Sequence, residues 1–181
     1  MIGGCWLSSN SGMSSARHER TLVHKNVWAT LSTISVQFNG NPYGNTVSYS
    51  DGIGFSQENS TGKIYFYLTP LDATGADLRA NSSASVAITM AQEGLHACKM
   101  DVEDPTCWKL MLTGKVVPVP ADHLRHAKNV LFSKHPQMEQ WPGMHGFVPY
   151  VLEIKNIVLL DFYGGAERVS VKEYYQIKLK L

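Results

Sequence analysis

The sequence predicts an α+β fold: a mostly antiparallel β-barrel with flanking helices. Two observations predict it. About seven segments alternate apolar and polar residues or are rich in β-branched and aromatic residues, and only two segments have helical spacing. A third, the composition, makes it one packed domain. The chain has 181 residues, 44% hydrophobic and 17% charged, which suits a single globular core and argues against disorder.

Residues 1–20 read as a flexible tail. Ser8, Ser9, Ser11, Ser14 and Ser15 crowd it, and no basic start followed by an apolar run marks a signal peptide. Residues 21–181 read as the domain. The stretch 28–36, with Leu31, Ile34 and Val36 among Thr and Ser, is the first strand. Asn39-Gly40-Asn41-Pro42 is a hairpin-type turn leading to a second strand at 45–49. Residues 51–62 are polar and glycine-containing, hence a loop. Residues 63–68 form an aromatic strand buried on both faces and ended by Pro70.

A short helix over 72–81 is anchored by Leu78, and Val86, Ile88 and Met90 alternate as strand four. The fifth strand, 108–119, puts Leu110 and Leu112 on one face. Residues 121–134 read as a helix: Leu124, Ala127 and Leu131 recur at helical spacing, and Asp122 stands where the macrodipole favours a carboxylate. A loop with Pro136, Pro142 and Gly143 follows. Residues 151–163 form a long strand, Gly164-Gly165 a turn, and 175–181 a last half-buried strand in which Tyr175, Ile177, Leu179 and Leu181 alternate with polar residues.

The charge balance, 16 basic against 15 acidic residues for a net +1, leaves no strong field and excludes nucleic acid as the expected partner. No stretch approaches the roughly 18 apolar residues of a membrane span. No phosphate-cradling glycine motif and no nucleophile elbow is present. His123 and His126 share a helix face, and His96 with Cys98 and Cys107 imitates a ligand cluster, but surface histidines are the favoured reading and no metal is expected. Trp141 reads as a recognition knob or, with better support, as an anchor packing its loop on the barrel. Cys98 and Cys107 flank a turn at Asp104-Pro105; a short bridged loop is favoured over two free thiols at strand ends, and Cys5 is left unpaired. Asn59-Ser-Thr and Asn81-Ser-Ser are N-glycosylation sequons in surface settings.

Several motifs resemble one family. Residues 28–35 (WATLSTIS), 65–71 (YFYLTPL) followed by Asp77-Leu78, 131–138 (LFSKHPQM) with Trp141-Pro142, and 160–165 (LDFYGG) leading to Glu173-Tyr-Tyr175 stand in the order found in the CREG family. Together they cover the chain from about Val23 onward. The resemblance implies a split β-barrel of the pyridoxamine-phosphate-oxidase-like superfamily, usually a homodimer. It implies a secreted or endolysosomal glycoprotein of growth and differentiation, without catalytic activity, and it raises the case for the Cys98–Cys107 disulfide. It points to a glycan-recognising or cell-surface receptor as partner.

True oxidases of this superfamily hold the phosphate of flavin mononucleotide (FMN) with basic side chains at four positions. In this sequence those positions fall on Asn45, Ser50, Ala73 and Thr74, none of them basic. Each lost charge-assisted contact is worth about 1.5–3 kcal/mol. No cofactor is therefore expected, and the alternative is an FMN- or haem-binding oxidoreductase on the same barrel.

Overall fold

The computed structural model describes residues 8–179. Cys5 and the first residues of the expected tail lie outside them.

Six antiparallel strands close into a barrel: β1 (Trp28–Ile34), β2 (Pro42–Gly52), β3 (Ser60–Leu68), β4 (Ser83–Thr89), β5 (Lys109–Pro118) and β6 (Val148–Leu160). Their order is β3-β2-β1-β4-β5-β6, and β3 pairs with β6 to complete the ring. A short β7 (Glu167–Val169) extends the edge of β6. The period-2 pattern drives closure. Ala29 and Leu31, Ile64 and Phe66, Val86 and Ile88, Leu110 and Leu112 all point inward and are buried in one cluster. The register between β5 and β6 shifts at Gly114, where a Cβ would run into the Glu153 carbonyl, so the bulge sits on a glycine.

The aromatic strand β3 is buried on both sides, as its sequence predicts. Ile64, Phe66 and Leu68 face the barrel interior. On the other side Tyr65 packs with Val119 and with Ala127, Val130 and Leu131 of α3 (Leu124–Lys134). Helix α2 (Ala73–Ala80) follows β3 so tightly that a Cβ on Gly75 would collide with the Thr69 carbonyl. The turn at Asn39-Gly40 has both residues at positive φ, 54° and 86°.

Two expectations are corrected. Residues from Ser8 onward are not a tail but belong to helix α1 (Ser8–Lys25). Ala16, Glu19, Arg20, Leu22 and Val23 are buried at helical spacing. Arg20 secures it: its guanidinium donates to the Ser60 carbonyl and hydroxyl (both 2.8 Å) and to the Ile177 carbonyl (3.0 Å), and sits over the Tyr174 ring. Gly62, at φ +75°, makes room for that group; a Cβ there would come within 2.8 Å of it.

The expected last strand at 175–181 is also not found: Tyr175 and Gln176 end α4 (Val171–Gln176), 177–179 are irregular, and Leu181 lies outside the described residues. Ser170 caps this helix: its Oγ accepts from the Glu173 amide (3.1 Å) and donates to the Glu173 carboxylate (2.7 Å). Tyr174 is buried from the helix, not from a strand. The described chain therefore has four α-helices where the sequence shows two.

Candidate functional site

The four positions expected to answer the oxidases' phosphate contacts do not form one site. Asn45 on β2 and Thr74 in the first turn of α2 meet, together with Asp72 just before that helix. The Asn45 amide donates to the Asp72 carboxylate (2.8 Å) and to the Thr74 hydroxyl (2.9 Å). Ala73 lies between the two in sequence and adds no polar side chain. Ser50 sits at the far end of β2, buried, with its hydroxyl spent on the Gly52 carbonyl (2.8 Å).

The cavity beside Asn45 measures about 190 Å³. Tyr67, Trp141 and Phe147 line it together with Asp72, and no lysine or arginine does. The three rings are mutually packed: Trp141 and Phe147 have centroids 4.6 Å apart, and Tyr67 stacks on both at 6.0 and 5.4 Å. Trp141 thus packs its loop onto the barrel, although part of its surface stays exposed. The loop itself contains two 3-10 turns, Pro136–Gln140 and Gly143–His145, and the Thr69 hydroxyl ties it down by donating to the His145 carbonyl.

The sequence reading misses two buried carboxylates. Asp51, at the end of β2, accepts from Lys134 Nζ (2.6 Å) and from the Ser60 hydroxyl, with His24 Nδ1 at 3.4 Å. Both side chains of the Asp51–Lys134 pair are fully shielded from water. Burial alone would raise the Asp51 carboxyl, but hydrogen bonds from His24, Lys134 and Ser60 and the Lys134 charge outweigh it. They hold the group below the ordinary carboxylate range. The Asp51–Lys134 pair, closed to solvent, ties β2 to α3, with His24 of α1 and Ser60 of β3 beside it.

Glu19 on α1 is the second. It is buried, and neither carboxylate oxygen has a hydrogen-bond partner among the described residues. Burial, then the charges of Asp161, Glu167 and Glu173, push it up to about 8. No signal of charge pattern or spacing marks either residue, because their surroundings come from strands and helices distant in sequence.

The remaining predicted positions are all exposed or bridged. Cys98 and Cys107 form a disulfide, with Cα atoms 5.1 Å apart. Asn59, in the 3-10 turn before β3, and Asn81, capping the C-terminus of α2, are exposed. His123 and His126 are exposed at the start of α3. Among the described residues no group of three or more His, Cys, Asp or Glu is arranged to hold a metal ion, and no helix is long and apolar enough to cross a membrane.

A family model described as "CREG, beta-barrel" matches residues 11–176. Protein CREG2 of Homo sapiens is 38% identical over 161 residues, 87% of this chain and 54% of that protein, so the chain spans about half its length. Protein CREG1 of Gallus gallus is 36% identical over 168 residues, 90% of this chain and 86% of that one. Among solved structures, a haem-binding protein of Mycobacterium smegmatis superposes with a TM-score of 0.71 at 18% identity, covering 94% of this chain and 62% of that one. A FAD-binding protein of Mesorhizobium loti gives 0.57 at 17%, with 80% and 93% covered. A Clostridium acetobutylicum protein of the pyridoxinephosphate oxidase family gives 0.61 at 13%, with 90% and 99% covered. At these identities the structural likenesses establish the split-barrel fold alone.

Proposed function

The chain belongs to the CREG family, and on that premise we propose that it works by binding partners, not by catalysis, its flavin site being degenerate. The observation that carries this reading is the Asn45–Asp72–Thr74 cluster. Where an FMN phosphate would need cationic donors, the side chains satisfy one another and one of them is an anion. A dianion there meets repulsion from Asp72 in place of the charge-assisted bonds that normally hold it. The adjoining space of about 190 Å³, walled by packed aromatic rings, is below the 300–1,000 Å³ typical of ligand pockets, roughly speaking.

The biological setting we propose is secretion or an endolysosomal compartment, with a homodimer and glycans on Asn59 and Asn81 presented to a cell-surface receptor. Three features support it: both sequon asparagines are exposed, a disulfide fits an oxidising route, and a carboxyl that keeps its proton up to about 8 favours the folded state in acid.

Calorimetric titration of the purified, cofactor-free protein with FMN, read together with its visible spectrum, tests the proposal. No binding is expected at FMN concentrations of about 100 μM. Stoichiometric binding with a retained flavin spectrum overturns it and favours the second reading, an FMN- or haem-binding oxidoreductase. That reading has support in the haem- and FAD-binding proteins that share the fold. A parallel titration with haemin, followed by its Soret band, examines the other half of it.

A further inference from the structure

A larger cavity of mixed chemistry lies elsewhere, on the outer side of β3 and β6. It measures about 460 Å³, within the usual range for small-molecule sites. Its apolar lining comes from Tyr65, Val119, Pro120 and Val151. Tyr65 is almost wholly buried and its ring meets His126 edge-on, with centroids 6.3 Å apart. The ring is therefore a fixed surface on which a planar group can rest.

The polar side of the same cavity carries three basic side chains. Lys63 from β3 and His123 and His126 from the start of α3 reach it, and all three are exposed. Lys63 forms no salt bridge among the described residues. Two carboxylates face this group: Glu153 of β6, which lines the cavity, and Asp122, whose oxygen lies 3.6 Å from His123 Nε2. The Tyr65 and Tyr175 rings complete the titratable set. Imidazole is the side chain that gains charge across the mildly acidic range, so acidification moves the rim from one lysine against two carboxylates toward positive charge.

We propose that this cavity binds a small amphipathic organic anion, an aromatic ring bearing a carboxylate or sulfonate, and binds it more tightly in acid. The ring lies against Tyr65 and Val151, and the anionic group accepts hydrogen bonds from Lys63 Nζ and the protonated imidazoles. The site is separate from the Asn45 corner, so failure of FMN to bind there has no bearing on it.

The probe is anilinonaphthalene sulfonate, an aromatic sulfonate whose fluorescence rises on apolar contact. It is titrated into the full chain at about pH 7.5 and about pH 5. One saturable site is expected, tighter at the lower pH by about tenfold. Lys63→Met should weaken it about fivefold or more at both pH values. The pair His123→Gln and His126→Gln should instead reduce the pH dependence to less than about twofold. All three positions are exposed, so unchanged thermal midpoints confirm that these variants fold. Absence of a saturable site at about pH 5 overturns the proposal, including the case in which a second copy of the chain covers the cavity. So does binding that the variants leave unchanged, which would place the dye in another groove, such as the apolar one lined by Trp28, Val102 and Met111.

Discussion

Asp51 and Glu19 are both buried carboxylates, yet their surroundings are opposite. Asp51 faces a lysine ammonium, an imidazole and a hydroxyl, whereas Glu19 faces Asp161, Glu167 and Glu173 and makes no hydrogen bond. Burial acts in the same direction on both. What differs is the set of partners, and that set decides which protonation state the fold selects. Asp51 is selected as an anion and Glu19 as a neutral acid up to about 8.

The difference sets two pH dependences of opposite sign. For Asp51 the folded-state value lies below the unfolded one, so its contribution is present above the ordinary carboxylate range and is lost as pH falls beneath it. For Glu19 the folded-state value lies above the unfolded one. The folded state then holds more protons than the unfolded state between about 4.5 and about 8, and stability declines as pH rises through that window. Taken alone, these two groups favour the fold most near about pH 4.5, where Asp51 is ionised and the cost of ionising Glu19 has not yet set in.

The strongest way to break the contrast is Lys134→Met. It leaves the Asp51 charge buried with only His24 and Ser60, and removing one member of a shielded pair costs about 3–5 kcal/mol. Chemical denaturation at neutral pH should show that loss. The Asp51 carboxyl should also rise, so acid unfolding should begin at a higher pH than in the parent.

The opposite result is expected at the other carboxyl. Glu19→Gln removes a group that must ionise without a partner, so it should stabilise the fold above about pH 8 by on the order of 5 kcal/mol. At about pH 4.5 and below, where the parent side chain is already neutral, the two proteins should match within about 0.5 kcal/mol. A gain that is the same at all pH values would mean that packing, not protonation, separates the two proteins.

These two sites also mark where sequence reading stops. The barrel was legible because its information is local: Leu110 and Leu112, or Ile64 and Phe66, declare their face by alternation, and a strand needs little more. Tyr65 and Tyr67 were correctly placed in a strand covered on its second side. The serine-rich start hid α1 because part of its anchoring is polar. Arg20 is held by Ser60, Tyr174 and Ile177, the last 157 residues away. Composition cannot announce such a partner. At the C-terminus the alternation of Tyr175, Ile177 and Leu179 argued for a strand, while Ser170 with Glu173 three residues later carried the helix-start signal that won. The family resemblance names Asn45 and Thr74, but their hydrogen bonds with each other and with Asp72 come only from the fold. The pairing of Asp51 with Lys134 spans 83 residues and follows from closure of the barrel, which no spacing rule encodes.

The smallest effect sharpens the Glu19 side of the comparison by separating burial from charge. After burial, Asp161 is the leading contributor to the rise of Glu19, and its carboxylate is hydrogen-bonded to His18 Nδ1 at 2.7 Å. Asp161→Asn removes the charge but keeps an oxygen that can accept from the same imidazole. The net change in stability at neutral pH should stay within about 1 kcal/mol. The informative quantity is the profile: the upper end of the window over which stability declines should move below about 8, because Glu19 then ionises more readily. In a Glu19→Gln background the same substitution should leave the profile unmoved, since the group that sensed the charge is gone. A shift that persists there would assign the effect to His18 and Asp161 themselves, and would leave burial, with Glu167 and Glu173, as the reason Glu19 keeps its proton.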